Sequence, residues 1–361
     1  MRAIKASALV AALAGVSLTL LGQEPATVGI KSESPEKTAK ALAVTDSLTI
    51  KSEMAEFFIH PIKCDAEGNL YLMTGVDATS GIREINSKGQ RVANFLASAA
   101  TGLSVWHGTY FAVAPNGSVY QLADLRDSRD RAVISYNKDG SYKSAVKLEA
   151  PHGAEDWNEM QIAVFPSGDF LIAGSIHNPD TAVRTPFTGI FDSSGAIKRE
   201  ITLPDDADLQ KMAESGDPRV IAPGHASVNR AVELGYAEAG SDGNVYLMRR
   251  ISPAIVYAIS PGGEVVRRFT VDPVAADYTP ISMHIAGGRI AILFREPQIG
   301  KELVKVTDLE GTEIATYIEP TKDTQEVLGS ALACYAQNPE RFTFLFTSDD
   351  GYLGFRIAEP R

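Results

Sequence analysis

The residues best equipped for chemistry in this sequence are scattered. Trp106-His107 comes first, then His152 and Trp157, His177 and Arg184, and finally His225, Arg249 and Arg295. Indole rings offer flat faces for a sugar ring or a peptide side chain, and guanidinium groups fork onto carboxylates or phosphates. Imidazoles move protons or ligate metals near neutral pH. Together these residues would make a binding funnel. Taken singly, each also has a plainer role: Trp106 and Trp157 packing seams between structural units, and the charged residues facing water.

Spacing excludes several specific chemistries. There is no H-E-x-x-H, no short His-x-His pair and no G-x-S-x-G turn, and neither Cys64 nor Cys334 belongs to a C-x-x-C. No glycine-rich turn opens a helix, so none reads as a phosphate loop. Asp205-Asp206-Ala207-Asp208 lacks the spacing and terminal Glu of a calcium loop, and reads instead as a cap before a helix at Leu209. No cofactor and no metal are expected.

What must position these residues is a repeat. Ala66-Glu-Gly-Asn-Leu-Tyr-Leu-Met73, Pro115-Asn-Gly-Ser-Val-Tyr-Gln-Leu122, Pro166-Ser-Gly-Asp-Phe-Leu-Ile-Ala173 and Ser241-Asp-Gly-Asn-Val-Tyr-Leu-Met248 each turn at a glycine between two apolar runs. Glycine takes the left-handed position of a tight hairpin. The first turns of successive units fall at Gly68, Gly117, Gly168, Gly243, Gly288 and about Glu340, at intervals of 49, 51, 75, 45 and 52 residues. Four strands per unit at that length describe β-propeller blades. The sixth unit lacks a fourth strand, and an orphan strand stands at Ser47–Lys51. Pairing the two closes the ring and removes an open edge. The expectation is an all-β, six-bladed propeller of four-stranded antiparallel blades closed by an N-terminal strand. The long interval holds an insertion, Pro204–Arg230.

The turns Glu67-Gly68-Asn69-Leu70-Tyr71, Asn116-Gly117-Ser118-Val119-Tyr120 and Asp242-Gly243-Asn244-Val245-Tyr246 resemble those of six-bladed propellers of the NHL-repeat and TolB-like kind, over roughly residues 47 to 361. In such families the fold serves enzymes, scaffolds and sensors alike, so it implies no activity. The resemblance does imply a site on the face that collects the links between blades and the second-to-third strand links. Trp106, His107, His152, Trp157, His177, Arg184, His225, Arg249 and Arg295 are assigned there. Some six-bladed lyases hold zinc through histidines around the channel. Here His60 lies 8 residues before Gly68, His107 10 before Gly117, His152 16 before Gly168 and His284 4 before Gly288, so no ligand position repeats.

Arg2 and Lys5 precede an apolar run from Ala6 to Leu21, the pattern of a signal peptide over residues 1–22. Residues 23–46 read as a flexible, polar lead-in, and 47–361 as the propeller. The expected location is periplasmic or secreted, with no stable membrane insertion after processing. The net charge of −11 becomes −13 once the two N-terminal cations are removed, which disfavours nucleic acid as a partner. Cys64 and Cys334 fall in the first strands of units one and six, neighbours in a closed ring, as either a disulfide or two buried thiols.

Two functions stay open. The first is an exported, non-enzymatic binding module for a peptide, glycan or partner protein at the loop face. The alternative is a lyase or hydrolase using histidines and arginines at the channel mouth. A structural module in an envelope complex would differ from both in showing an exposed apolar patch.

Overall fold

The structure, a computed structural model, describes residues 39–54, 59–73, 81–126, 128, 130–154, 157–177, 184–215, 217, 234–275, 277–296, 300–319 and 328–361. The segment expected to be a signal peptide, the first part of the expected lead-in, His225 and most of the long insertion lie outside the described residues.

The chain opens with β1 (Lys40–Met54) and then builds four-stranded units. β2 (Ile59–Cys64), β3 (Leu70–Met73), β4 (Gly81–Ile85) and β5 (Arg91–Leu96) form the first sheet in that order. β6 (Val105–Val113), β7 (Val119–Leu125), β8 (Arg131–Tyr136) and β9 (Tyr142–Lys147) form the next. β10 (Trp157–Val164), β11 (Phe170–His177), β12 (Arg184–Phe191) and β13 (Ile197–Glu200) follow. After helix α1 (Asp206–Glu214) come β14 (Leu234–Ala239), β15 (Val245–Arg249), β16 (Ala254–Ile259) and β17 (Val265–Val271). The remaining strands are β18 (Thr279–Ala286), β19 (Arg289–Arg295), β20 (Glu302–Asp308), β21 (Glu313–Ile318), β22 (Ala331–Gln337), β23 (Glu340–Thr347) and β24 (Tyr352–Pro360). The protein is all-β, a propeller arrangement of four-stranded blades.

The sheets depart from the expected set of six separate blades. Among the described residues four sheets have four strands, and the fifth has eight, in the order β18-β19-β20-β21-β1-β24-β23-β22. The cause is β1. It pairs antiparallel with β24 from Leu42↔Pro360 to Met54↔Tyr352, and its first two residues, Lys40 and Ala41, also bridge β21 in parallel. This strand supplies the edge that the last unit lacks. It begins at Lys40, inside the stretch expected to be a flexible lead-in, because Leu42 buries its side chain fully and the backbone gains ladder partners.

Apolar seams join consecutive sheets. Tyr71 and Phe95 of the first meet Phe111 and Tyr136 of the second, with the Phe95 and Tyr136 rings edge to face at 5.7 Å. The middle strands β3, β15 and β16 are buried along their whole length, while outer strands such as β5 and β17 alternate with solvent. That is the pattern of a sheet packed on both faces but open at its outer edge. The first strands contact one another in a cycle: β2 with β6, β6 with β10, β10 with β14, β14 with β18, β18 with β22 and β22 with β2. Cys64 and Cys334 are disulfide-bonded across the β2–β22 junction, Cα to Cα 5.5 Å. Helix α1 starts at Asp206, whose carboxylate accepts the Leu203 N–H at 3.0 Å, and it buries Leu209 against the third and fourth sheets.

Candidate functional site

One end of the ring carries the first-to-second strand hairpins, and the opposite end carries the links between sheets. Most of the residues expected in link-end loops are strand residues, and they are held by separate local partners. His107, Asp124 and Arg131 face one another across β6, β7 and β8. His107 Nε2 is 2.6 Å from Asp124 Oδ2, and Arg131 Nε is 2.6 Å from Asp124 Oδ1. Arg131 also donates to the Trp157 carbonyl at 3.0 Å, so His107 and Trp157 belong to one chain of contacts.

The two indoles part company. Trp106 is 58% exposed and lies edge to face on His107, whereas Trp157 is 2% exposed and stacks on Phe191. Trp157 is a packing residue of the seam with the second sheet, not a funnel residue. His152 is exposed and 3.0 Å from Glu200. His177 and Arg184 are register partners on β11 and β12, and Arg184 points to solvent. Arg249 is fully buried. Its Nε donates to Tyr257 Oη at 3.1 Å, and it pairs with Asp206 at the start of α1. The insertion thus places a structural anion on Arg249, which removes it from the expected site.

Arg295 is paired with Glu302, Nε to Oε1 2.9 Å, and reaches the Gly329 and Ser330 carbonyls. Burial pushes the Glu302 carboxyl up to about 7, against the opposing pull of Arg295. Among the described residues no three His, Cys, Asp or Glu side chains converge as metal ligands.

A cavity of about 570 Å³ lies at the hairpin end. Its wall is made where the first strands turn, from Lys63–Gly68, Ala112–Pro115, Ala163, Ala237–Ser241, Ile285–Gly287 and Cys334–Pro339, with Arg341. These segments come from every sheet, so the cavity sits on the ring's centre. Lys63, Ala112, Ala163 and Glu238 each stand five residues before the glycine of their own hairpin. Two alanines at this position leave space, and the other two sheets put opposite charges there.

The charges are tied together. Lys63 Nζ donates to the Ala237 carbonyl at 2.8 Å and lies 3.4 Å from Glu238 Oε1. His284 Nδ1 is 3.2 Å from the same oxygen, and its Nε2 contacts the Leu332 carbonyl at 2.9 Å. The Ile285 N–H completes the set on Glu238 Oε2 at 2.8 Å. Burial raises the Glu238 carboxyl, but Lys63 and His284 beside it outweigh that and hold it at about 2. Burial lowers the Lys63 ammonium, with Glu238 opposing. Lys63 also lies over the Tyr236 ring, 5.2 Å from its centroid.

No protein-family model matches the chain, and no curated protein matches it. Solved structures of similar fold include a protein of unknown function from Dyadobacter fermentans, with 12% identity, 89% of this chain and all of that one covered, and a TM-score of 0.52. A WD40 domain of Pan2 from Neurospora crassa covers 89% of this chain and 95% of its own at 9% identity and a TM-score of 0.39. YCF48 bound to D1 peptide covers 89% and 97% at 8% identity and a TM-score of 0.41. The likeness at these identities is one of fold.

Sequence reasoning passed over Lys63, Glu238 and Arg341. The signal existed for the first two. Lys63 and Glu238 share one offset, five residues before the hairpin glycines Gly68 and Gly243, which no histidine shares. Arg341 carries no such mark, since its hairpin at Asn338-Pro339 has lost the glycine pattern.

Proposed function

We propose that the protein is an exported binding module that takes its ligand in the central cavity at the hairpin end of the ring. The observation that carries this reading is the cavity itself: about 570 Å³, walled by rigid strand ends and apolar alanines, with a few fixed polar groups. That is the composition of a ligand pocket on a preorganised scaffold. A peptide or glycan segment, free or displayed on a partner protein, is of a size to enter it.

The same reading counts the eight-stranded sheet as two blades clasped by β1. The ring is then six-bladed and of the NHL-repeat or TolB-like kind, in keeping with the closed cycle of first strands. Export rests on Arg2, Lys5 and the apolar run that follows, and a disulfide between Cys64 and Cys334 fits an oxidising compartment. The alternative, a lyase or hydrolase, rests on the His107–Asp124 pair, in which a carboxylate orients a half-buried imidazole as it would a general base.

The test is a thermal-shift screen of peptides and oligosaccharides on the processed protein, repeated on Ala112→Phe, which fills the cavity. A ligand that stabilises the parent and not the variant supports the reading. A ligand that binds both equally and is lost in Trp106→Ala would move the site to the link end. Substrate turnover abolished by His107→Ala would favour the enzyme.

A further inference from the structure

The charged groups around the cavity are Lys63, Asp65, Glu67, Glu238 and Arg341, and they differ in what they are already doing. Asp65 is spent on its own turn: it accepts the Glu67 and Asn69 N–H groups at 2.9 Å each, and Asn69 Nδ2 and Tyr71 Oη at 3.0 and 3.2 Å. Glu67 is paired with Lys138, Oε1 to Nζ 2.9 Å. Glu238 is shared by Lys63, His284 and the Ile285 N–H. Among the described residues, the Arg341 guanidinium has neither a hydrogen bond nor an ion pair, although its backbone lies in the β22–β23 ladder. It is half-buried at the junction of β22–β23 with the first sheet, its Nη2 about 4.0 Å from where a Cβ on Gly68 would stand. Arg289 on β19, by contrast, is paired with Glu340.

Among the described residues, the wall carboxylates Asp65, Glu67 and Glu238 are therefore satisfied, and the Arg341 guanidinium is not. A planar fork of donors held at the edge of a cavity is matched by a planar anion that accepts two parallel hydrogen bonds. Resting on the cavity reading above, we infer that the ligand carries a carboxylate, bound bidentately by Arg341 at the cavity wall, with its apolar body among Ala112, Ala163 and Ala336. A singly charged carboxylate suits the site better than a phosphate dianion, which would meet stronger repulsion from Asp65, Glu67 and Glu238. The carboxylate has two sources, a small free acid or an acidic or C-terminal group of a peptide.

The experiment is calorimetric titration of the processed protein with succinate, glutarate, trialanine and an acetylated Ala-Glu-Ala amide. Each is set beside its uncharged amide counterpart, with inorganic phosphate as a further probe. The expected result is binding of at least one acid and not of its amide, weakened at least tenfold by Arg341→Gln and partly restored by Arg341→Lys. Binding confined to succinate and glutarate identifies a small-acid site, and binding confined to the peptides identifies a peptide site; both support the inference. If amides bind as well as acids, or Arg341→Gln changes nothing while Ala112→Phe abolishes binding, the carboxylate inference is overturned and the cavity reading stands. If binding survives both variants, both readings fail. Tighter binding of phosphate than of every acid, or no binding by any probe at millimolar concentration, also overturns the inference.

Discussion

Lys63 on β2 and Glu238 on β14 stand 3.4 Å apart, Nζ to Oε1, at matching positions of two sheets although 175 residues separate them in sequence. The side chains are 5% and 14% exposed, so each depends on the other for its charge. Glu238→Gln leaves the Lys63 ammonium buried without a counter-ion, and should cost about 3–5 kcal/mol of folding stability in urea. Adding Lys63→Met removes the stranded charge, while the amide oxygen introduced by Glu238→Gln keeps an acceptor for His284 and Ile285. The double variant should regain more than half of the loss. Equal destabilisation of single and double variants would show that packing, not charge, sets the cost.

Two glutamates should shape the pH dependence with opposite signs. Glu238 sits at about 2, below the ordinary 4.5, so its contribution is fully present above pH 4.5 and is lost as pH falls towards 2. Glu302 sits at about 7, above 4.5, so the folded state holds its proton longer and stability falls as pH rises from 4.5 to 7. Each limb amounts to about 3 kcal/mol at 1.36 kcal/mol per unit. From these groups stability peaks near pH 4.5. Denaturant midpoints from pH 2 to 8 should lose the acid limb in Glu238→Gln and the neutral limb in Glu302→Gln. A neutral limb that persists in Glu302→Gln would assign it elsewhere.

The Cys64–Cys334 bond closes a separation of 270 residues and joins β2 of the first sheet to β22, in the sheet that β1 enters beside β24. On loop-closure entropy alone its removal should cost about 5 kcal/mol. A Cys64→Ala, Cys334→Ala variant should lose about that much in urea, and the parent should match it under dithiothreitol. A loss below about 1 kcal/mol would mean that β1 alone holds the ring shut.

The tryptophans show how far residue type reaches. By residue type both are candidates for one funnel, because sequence gives the period of a strand but not which end-of-strand side chain turns inward. Trp157 packs on Phe187 and Phe191, so Trp157→Ala should cost about 3–5 kcal/mol. Trp106 is mostly exposed, and Trp106→Ala should stay within about 0.5 kcal/mol of the parent in thermal unfolding. The blades and their closing strand were legible because hairpin glycines recur at a fixed place in each unit. The candidate site was not, because it is assembled by residues from opposite sides of the ring. Lys63 and Glu238 become partners only once β2 and β14 face the same channel, and Arg341 stands out only once its neighbours' partners are known.

In the outer β12–β13 hairpin one glycine answers two demands. Gly195 closes the β12–β13 turn at φ +87°, a backbone region that side-chain-bearing residues seldom adopt. It also docks on the neighbouring sheet: its carbonyl accepts the Glu149 N–H at 2.8 Å, and a Cβ there would overlap the Lys147 carbonyl oxygen at the end of β9. Gly168 has a similar φ of +87°, yet a Cβ on it would meet nothing within 4 Å. Gly168→Ala therefore isolates the conformational cost, of order 1 kcal/mol, while Gly195→Ala adds the clash that pushes two sheets apart. In parallel urea titrations Gly195→Ala should be the more destabilising by at least about 1 kcal/mol. Equal losses would mean that the outer hairpin yields without disturbing the seam, and that blade-to-blade contact at the rim contributes little to holding the ring.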